Sequence, residues 1–216
     1  MAEKTPSPNA TEKLRSEILD GTFSPGERLT EIALAERYSV GRGSIRSALV
    51  ELRAEGLVDI EANRGAMVRR ISLEEAIEVA EARQVLEALL AARAAHSDDS
   101  GAKQSLLEIV EEMGDAVAAK DNARYSALNR ALHGRIWEIG GHRVGHDLVT
   151  NLRNRSAHHQ YRLAVMPGRS EESLQQHSAI VDAIVAGDAE GASESMSRHL
   201  DSVIEVLSQW SELGAR

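Results

Sequence analysis

The segment LTEIALAERYSVGRGSIRSALVELRAEGLVDIEANRGAMV, Leu29 to Val68, changes its periodicity twice. Thr30 offers a side-chain acceptor to cap a helix that runs to about Tyr38, with Glu31 at its positive end and Ile32 and Ala35 turned inward. Ser39-Val40-Gly41 then makes a tight turn into a helix from about Gly43 to Glu55. Its Ile45, Ala48, Leu49 and Leu52 recur at helical spacing, and Gly56 stops it. Beyond it, Leu57 to Ile60 and Ala66 to Arg70 read as short strands joined by Asn63-Arg64-Gly65, a turn with a residue that tolerates a left-handed backbone. Helix, turn, helix and two-stranded ribbon in this order make a winged helix-turn-helix.

Working outward, residues 1 to 10 hold two of the four prolines and read as a disordered tail. Thr11 can cap a first helix carrying Leu14, Ile18 and Leu19, which Gly21 ends, and Ser24-Pro25-Gly26 is a turn. After Arg70 the ribbon pattern stops. Ser72 and Glu75 form a capping box, and Ile77, Ala80, Leu86 and Leu90 carry a helix to about Ala95. Helices follow over about 102–120, 122–139 and 142–165; the next, capped by Ser170, ends at Gly187, and Asp188 caps a last one to about Leu213. The fold class is therefore mainly α. A tail (1–10) precedes a winged domain of three helices and a two-stranded wing (11–70), and an all-α antiparallel bundle of six helices (71–216) follows.

The net charge of −9 argues against a nucleic-acid binder until it is divided along the chain. Residues 11–70 hold ten Lys and Arg against ten Asp and Glu, whereas residues 71–216 hold 14 against 23, the whole excess. DNA affinity must therefore come from local placement of arginines. At 100° per residue, Arg42, Arg46 and Arg53 fall within an arc of roughly 40° beside the buried stripe of their helix, with Ser44 and Ser47 on the polar side. Arginine forks onto guanine edges or phosphate oxygens. A solvated face on an ordinary amphipathic helix is the alternative; the preceding helix, the turn and the ribbon favour a reader of the major groove.

The absence of cysteine excludes disulfides and thiolate metal sites. No apolar run reaches bilayer length and the N-terminus lacks a signal-peptide core, so a cytoplasmic protein without membrane partners is expected. Three histidines sit on apolar stripes of separate bundle helices: His133 before Ile136 and Trp137, His177 between Leu174 and Ile180, and His199 between Met196 and Val203. Imidazoles converging at a bundle centre suit zinc, nickel or a similar ion, and Asn129 would bring an amide oxygen to the face of His133. Isolated core histidines with backbone partners are the alternative, and the spacing alone leaves both open. His142 and His146, with Asp147, superficially match a phosphohydrolase pair but lack its further ligands, and His158-His159 read as a solvated face. No phosphate loop, dinucleotide fingerprint, zincin motif or serine elbow is present, so no enzyme is expected.

The run ERLTEIALAERYSVGRGSIRSALVELRAEGLVDIEANRGAMV resembles the N-terminal domain of the GntR superfamily of bacterial transcription regulators, whose pattern is PGxRLxExxLAxxxxVSRxxVRxALxxLxxEGLV followed by an N-R-G wing tip. The resemblance implies DNA contacts at Arg42, Ser44, Arg46 and Gly65. Gly41 and Gly43 stand where Ser or Thr commonly sit, which removes two hydroxyls from the phosphate-facing turn. ARQVLEALLAARAA, NRALHGRIWEIGG, HSAIVDAIVAGD and RHL are similar to the FCD effector domain of the FadR-like branch. That implies a divalent metal, zinc or nickel, on Asn129, His133, His177 and His199, and a small carboxylate effector reached also by Arg83; a surface pair with Glu87 is the alternative role for Arg83. It further implies a homodimer that binds a palindromic double-stranded operator with effector-dependent affinity. A metal-dependent hydrolase with an accessory winged domain and a non-sensing architectural DNA binder are the competing readings.

Overall fold

The computed structural model describes residues 10–61, 65–164 and 166–214. Residues 1–9 of the expected tail and Asn63-Arg64 of the wing turn lie outside the described residues. The chain divides into two compact units, residues 1–70 and 71–216.

The first unit holds α1 (Ala10–Leu19), α2 (Glu31–Tyr38) and α3 (Arg42–Ala54), with strands β1 (Arg28–Leu29), β2 (Val58–Glu61) and β3 (Gly65–Val68). Ala10 belongs to α1 rather than to the tail, and Thr11 lies within that helix, its hydroxyl donating to Glu51 Oε2 at 3.2 Å instead of capping. Arg15, one turn on, grips Glu55, the C-cap of α3, at 2.6 and 2.7 Å. Thr30 caps α2 by accepting from Ala33 N at 3.3 Å. Ser39 closes it in the left-handed conformation, φ 56°, returning its N–H to Ala35 and Glu36 carbonyls. Ile32, expected inside, is 58% exposed; Leu34 and Tyr38 face inward instead, and the Tyr38 hydroxyl donates to Glu17 Oε2 at 2.8 Å. Eight residues carry two overlapping apolar faces, and the buried Tyr38 selects between them. α3 buries Ile45, Ala48, Leu49 and Leu52. The wing is a three-stranded antiparallel sheet in the order β1-β3-β2, with Ala66 between Leu29 and Ile60. Its two-residue third strand is too short to show an alternating pattern in sequence.

The second unit comprises α4 (Leu73–Ala95), α5 (Ser100–Ala118), α6 (Asn122–Gly140), α7 (Arg143–Arg155), α8 (Ala157–Ala164), α9 (Arg169–Ala186) and α10 (Ala189–Gly214). Six helices were expected and seven are described, because the segment 142–165 breaks at Ser156. The Ser156 hydroxyl turns back onto the Arg153 carbonyl at 3.2 Å. Gly168, at φ 79°, starts α9, so Ser170 is not its cap and bonds Glu171. Leu90, Leu106, Met113, Leu132, Ile136, Ile180, Ile184 and Leu200, from five helices, are fully buried at the bundle centre. Each such side chain contributes about 1.5–3 kcal/mol. Gly140 lets α6 cross α4 closely: a Cβ there would stand 2.6 Å from the Leu90 carbonyl oxygen. Arg93 Nε bonds the Gly140 carbonyl at 2.8 Å and fixes the crossing. That crossing sets His133 of α6 beside Glu87 of α4.

Candidate functional site

His133 on α6, His177 on α9 and His199 on α10 are all buried, and one ring nitrogen from each lies within 4.8 Å of the others. The remaining ring nitrogens are engaged. His133 Nδ1 is 2.6 Å from Glu87 Oε2, His199 Nδ1 is 2.8 Å from Gln176 Oε1, and His177 Nδ1 is 3.5 Å from the Ser173 hydroxyl. A carboxylate only accepts, so His133 donates from Nδ1 and keeps its Nε2 lone pair toward the centre, 3.1 Å from His177 Nε2. Glu87 is fixed in turn: Arg83 Nε donates to Oε1 at 2.7 Å and Trp137 Nε1 to Oε2 at 3.3 Å.

Electrostatics favour ligand-competent, neutral imidazoles. Burial lowers His133 although Glu87 opposes it, and it holds His177 and His199 well below the ordinary histidine value. For Glu87, burial pushes upward, but Arg83 and His133 together outweigh it and keep the carboxylate ionised. Neutral imidazoles whose outer nitrogens are held by a carboxylate, an amide and a hydroxyl are the donor set that divalent transition metals take, so the residues present fit such an ion.

A cavity of about 30 Å³ adjoins the trio, lined by Arg83, Tyr125, Asn129, His133, Arg169 and His199, among others. Asn129 Oδ1 and Arg83 Nη1 are buried without hydrogen-bond partners, and Tyr125 Oη stands beside Ser173 without a well-formed bond. Arg169 Nη1 lies 3.0 Å from Glu172 Oε2, out of hydrogen-bond alignment. Among the described residues the buried charges are three guanidiniums, Arg83, Arg153 and Arg169, against one carboxylate, Glu87. Burial and the neighbouring Arg83 push Arg153 down to about 9.

Of the residues expected from sequence, the three histidines lie together, and Arg83, Asn129, His133 and His199 line one cavity. The Arg83–Glu87 pair exists, but its side chains are 2% and 0% exposed, so it is no surface pair. Arg153, Arg169, Gln176 and Ser173 were missed, although Arg169, Ser173 and Gln176 fall at helical spacing on the His177 face of α9, a signal that could have found them. His142 caps α7, its Nδ1 accepting from Gly145 N at 2.9 Å. His159, read as solvated, is buried with Nε2 at 3.2 Å from the Ile71 carbonyl.

In the first unit, Arg42, Ser44 and Arg46 are exposed on the N-terminal half of α3, and Gly65, at φ 82°, opens β3. Arg42, Arg46 and Gly65 border one groove of about 530 Å³ together with Glu31.

The profile described as FCD domain matches residues 78–202, more than half of the chain, and that described as bacterial regulatory proteins, gntR family, matches residues 6–68. The chain belongs to the FCD-type GntR regulators. Among the relatives of this GntR regulator, the HTH-type transcriptional repressor GlaR of Escherichia coli K12 is 29% identical over 210 residues, covering 91% of this chain and 93% of that one. The repressor RspR of the same strain is 26% identical over 196 residues, covering 91% and 86%. Among solved structures, a GntR transcriptional regulator from Rhodococcus sp. RHA1 shares 25% identity at a TM-score of 0.75, covering 95% and 96%. Escherichia coli McbR/YncC shares the fold at a TM-score of 0.83 with 20% identity, covering 94% and 96%. The relatives are transcriptional regulators, not enzymes, which removes the hydrolase reading. No helix among the described residues is long and apolar enough to cross a membrane.

Proposed function

We propose that this regulator binds a palindromic operator in the cytoplasm as a homodimer and that a small carboxylate held beside a metal in the bundle changes its operator affinity. The observation that carries the sensing part is a cavity lined by two buried guanidiniums, Arg83 and Arg169, together with Asn129, where Asn129 Oδ1 and Arg83 Nη1 are buried without partners. Among the described residues of the bundle three guanidiniums, Arg83, Arg153 and Arg169, are buried against one carboxylate, Glu87, and Arg169 has its own carboxylate, Glu172, only at the exposed surface. A buried charge without compensation is costly, and an anion supplies the compensation.

His133, His177, His199 and Asn129 Oδ1 would hold the ion, zinc or nickel by the donor chemistry. When bound, the ion supplies a Lewis-acidic anchor for a carboxylate. Glu87 fixes the His133 tautomer, and Arg83, itself oriented by Glu87, offers Nη1 to the ligand. Arg169 and Tyr125 offer further donors from α9 and α6. About 30 Å³ is room for about two waters, so the smallest acids enter with the least movement of the lining.

Arg42, Ser44, Arg46 and the Gly65 wing tip are the DNA-contacting residues of this reading. Local arginine placement is required, since the acidic excess lies in residues 71–216. The test of sensing is thermal unfolding of the zinc-supplied, full-length protein with acetate, glycolate, L-lactate, malonate or succinate. At least one acid should raise the melting temperature with dose in the wild type and fail to do so in Arg169→Ala. If none shifts the wild type beyond an equal concentration of chloride, the cavity is not a carboxylate site.

A further inference from the structure

Two arginines of α3 share a carboxylate from a different helix. Glu31 is the first residue of α2, placed there by the Thr30 cap. Its Oε1 accepts from Arg46 Nε and its Oε2 from Arg46 Nη2, each at 2.9 Å, while Arg42 Nη2 stands 3.6 Å from Oε2. The Arg46 and Arg42 side chains are 67% and 62% exposed, against 25% for Glu31. The carboxylate thus sits behind the arginines, and their heads still face outward. Exposed ion pairs stabilise a fold little, so holding α2 to α3 is a weak reason for this one. Those helices already pack on each other, with Leu34 of α2 and Ile45 and Leu49 of α3 buried.

The Nε/Nη2 edge of Arg46 is one of the two edges with which a guanidinium can fork a phosphate. With that edge taken, Nη1 and the outer N–H of Nη2 remain, at the end of a side chain held in one direction. We infer that Glu31 is a specificity determinant of this regulator: it aims Arg46 at a base edge and withdraws positive charge from the surface that meets phosphate. The inference rests on the reading that α3 enters the major groove. Binding to random DNA is chiefly phosphate electrostatics, so Glu31 weakens it. Binding to the operator adds base contacts that depend on the direction of the guanidinium, so Glu31 strengthens the preference for the operator.

The test uses the full-length dimer and two 30-bp duplexes, one selected from a random library by the wild-type protein and one of scrambled sequence. Affinities for both are measured across a series of salt concentrations for the wild type, Glu31→Gln and Arg46→Ala. Glu31→Gln should bind the scrambled duplex at least about threefold more tightly, with a salt slope steeper by about one phosphate contact. Its operator-to-scrambled ratio should fall at least about tenfold, and Arg46→Ala should lose the preference altogether. A ratio for Glu31→Gln within twofold of wild type, with Arg46→Ala still defective, overturns the role of Glu31 and leaves the α3 reading intact. Equal weakening on both duplexes at an unchanged salt slope would assign Glu31 a structural role only and also overturns it. Operator preference retained by Arg46→Ala overturns the α3 reading and the inference with it.

Discussion

Glu87 is wholly shut off from water and accepts from Arg83, His133 and Trp137. Such a carboxylate persists only because its partners supply charge and donors, and in return it orients them. Glu87→Gln keeps the shape but replaces an acceptor-only group and removes the counter-charge of Arg83. The amide no longer enforces the Nδ1–H tautomer of His133, so zinc affinity should fall about 10- to 100-fold. Competition against a chromophoric chelator measures it, and wild-type affinity in this variant would show that Glu87 does not support the metal centre. The sequence made the Arg83–Glu87 spacing visible, because four residues bring two side chains to one helical face. It could not tell a solvated pair from a buried one, since α4 is rich in alanine on several faces and blurs its own inside. The histidines were legible for the opposite reason: each was flanked by bulky apolar residues one turn away. Arg169 was hidden because Ser170 reads as the helix cap, which puts Arg169 outside α9, whereas it falls two turns before His177 on the same buried stripe.

Among the elements, α4 and α7 bear an apolar surface that their own bundle leaves open. Val85 and Leu89 on α4 are 72% and 45% exposed, and Val144 and Leu148 on α7 are 55% and 50%. The helices run antiparallel, with Arg155 of α7 paired to Glu75 of α4 at one end and Gly145 packed against Leu90 nearer the other. The exposed stripe of α4 has Glu78 and Glu81 toward its N-terminus and Arg93 toward its C-terminus, where Arg143 of α7 is also exposed. A twofold axis across the stripe would set the acidic end of one copy against the basic end of the other, the self-complementarity of an isologous dimer. Leu89→Glu with Leu148→Glu should therefore yield monomers by light scattering at micromolar concentration, with helical content unchanged. A persistent dimer would place the interface elsewhere. The helix-turn-helix was legible almost residue by residue, because Thr30, the Ser39 turn and the Gly56 stop are local signals. The break at Ser156 was not, since a serine inside a polar helix announces nothing until its hydroxyl returns to the carbonyl of Arg153.

At the scale of the whole molecule, charge and chemistry divide between the two units. One unit carries exposed arginines on a short helix beside a wing; the other is acidic overall, yet encloses more positive than negative charge. On the proposed reading, an anion entering that interior would bind one arrangement of the chain better than another, and operator affinity would follow only to the extent of that difference. The most direct measurement is fluorescence anisotropy of the selected operator duplex with zinc-loaded protein, titrated with each acid that raises the melting temperature. At least one such acid should change the operator dissociation constant by about fivefold or more, and the change should disappear in Arg169→Ala. An operator affinity that stays constant while the acid demonstrably binds would contradict the proposed sensing.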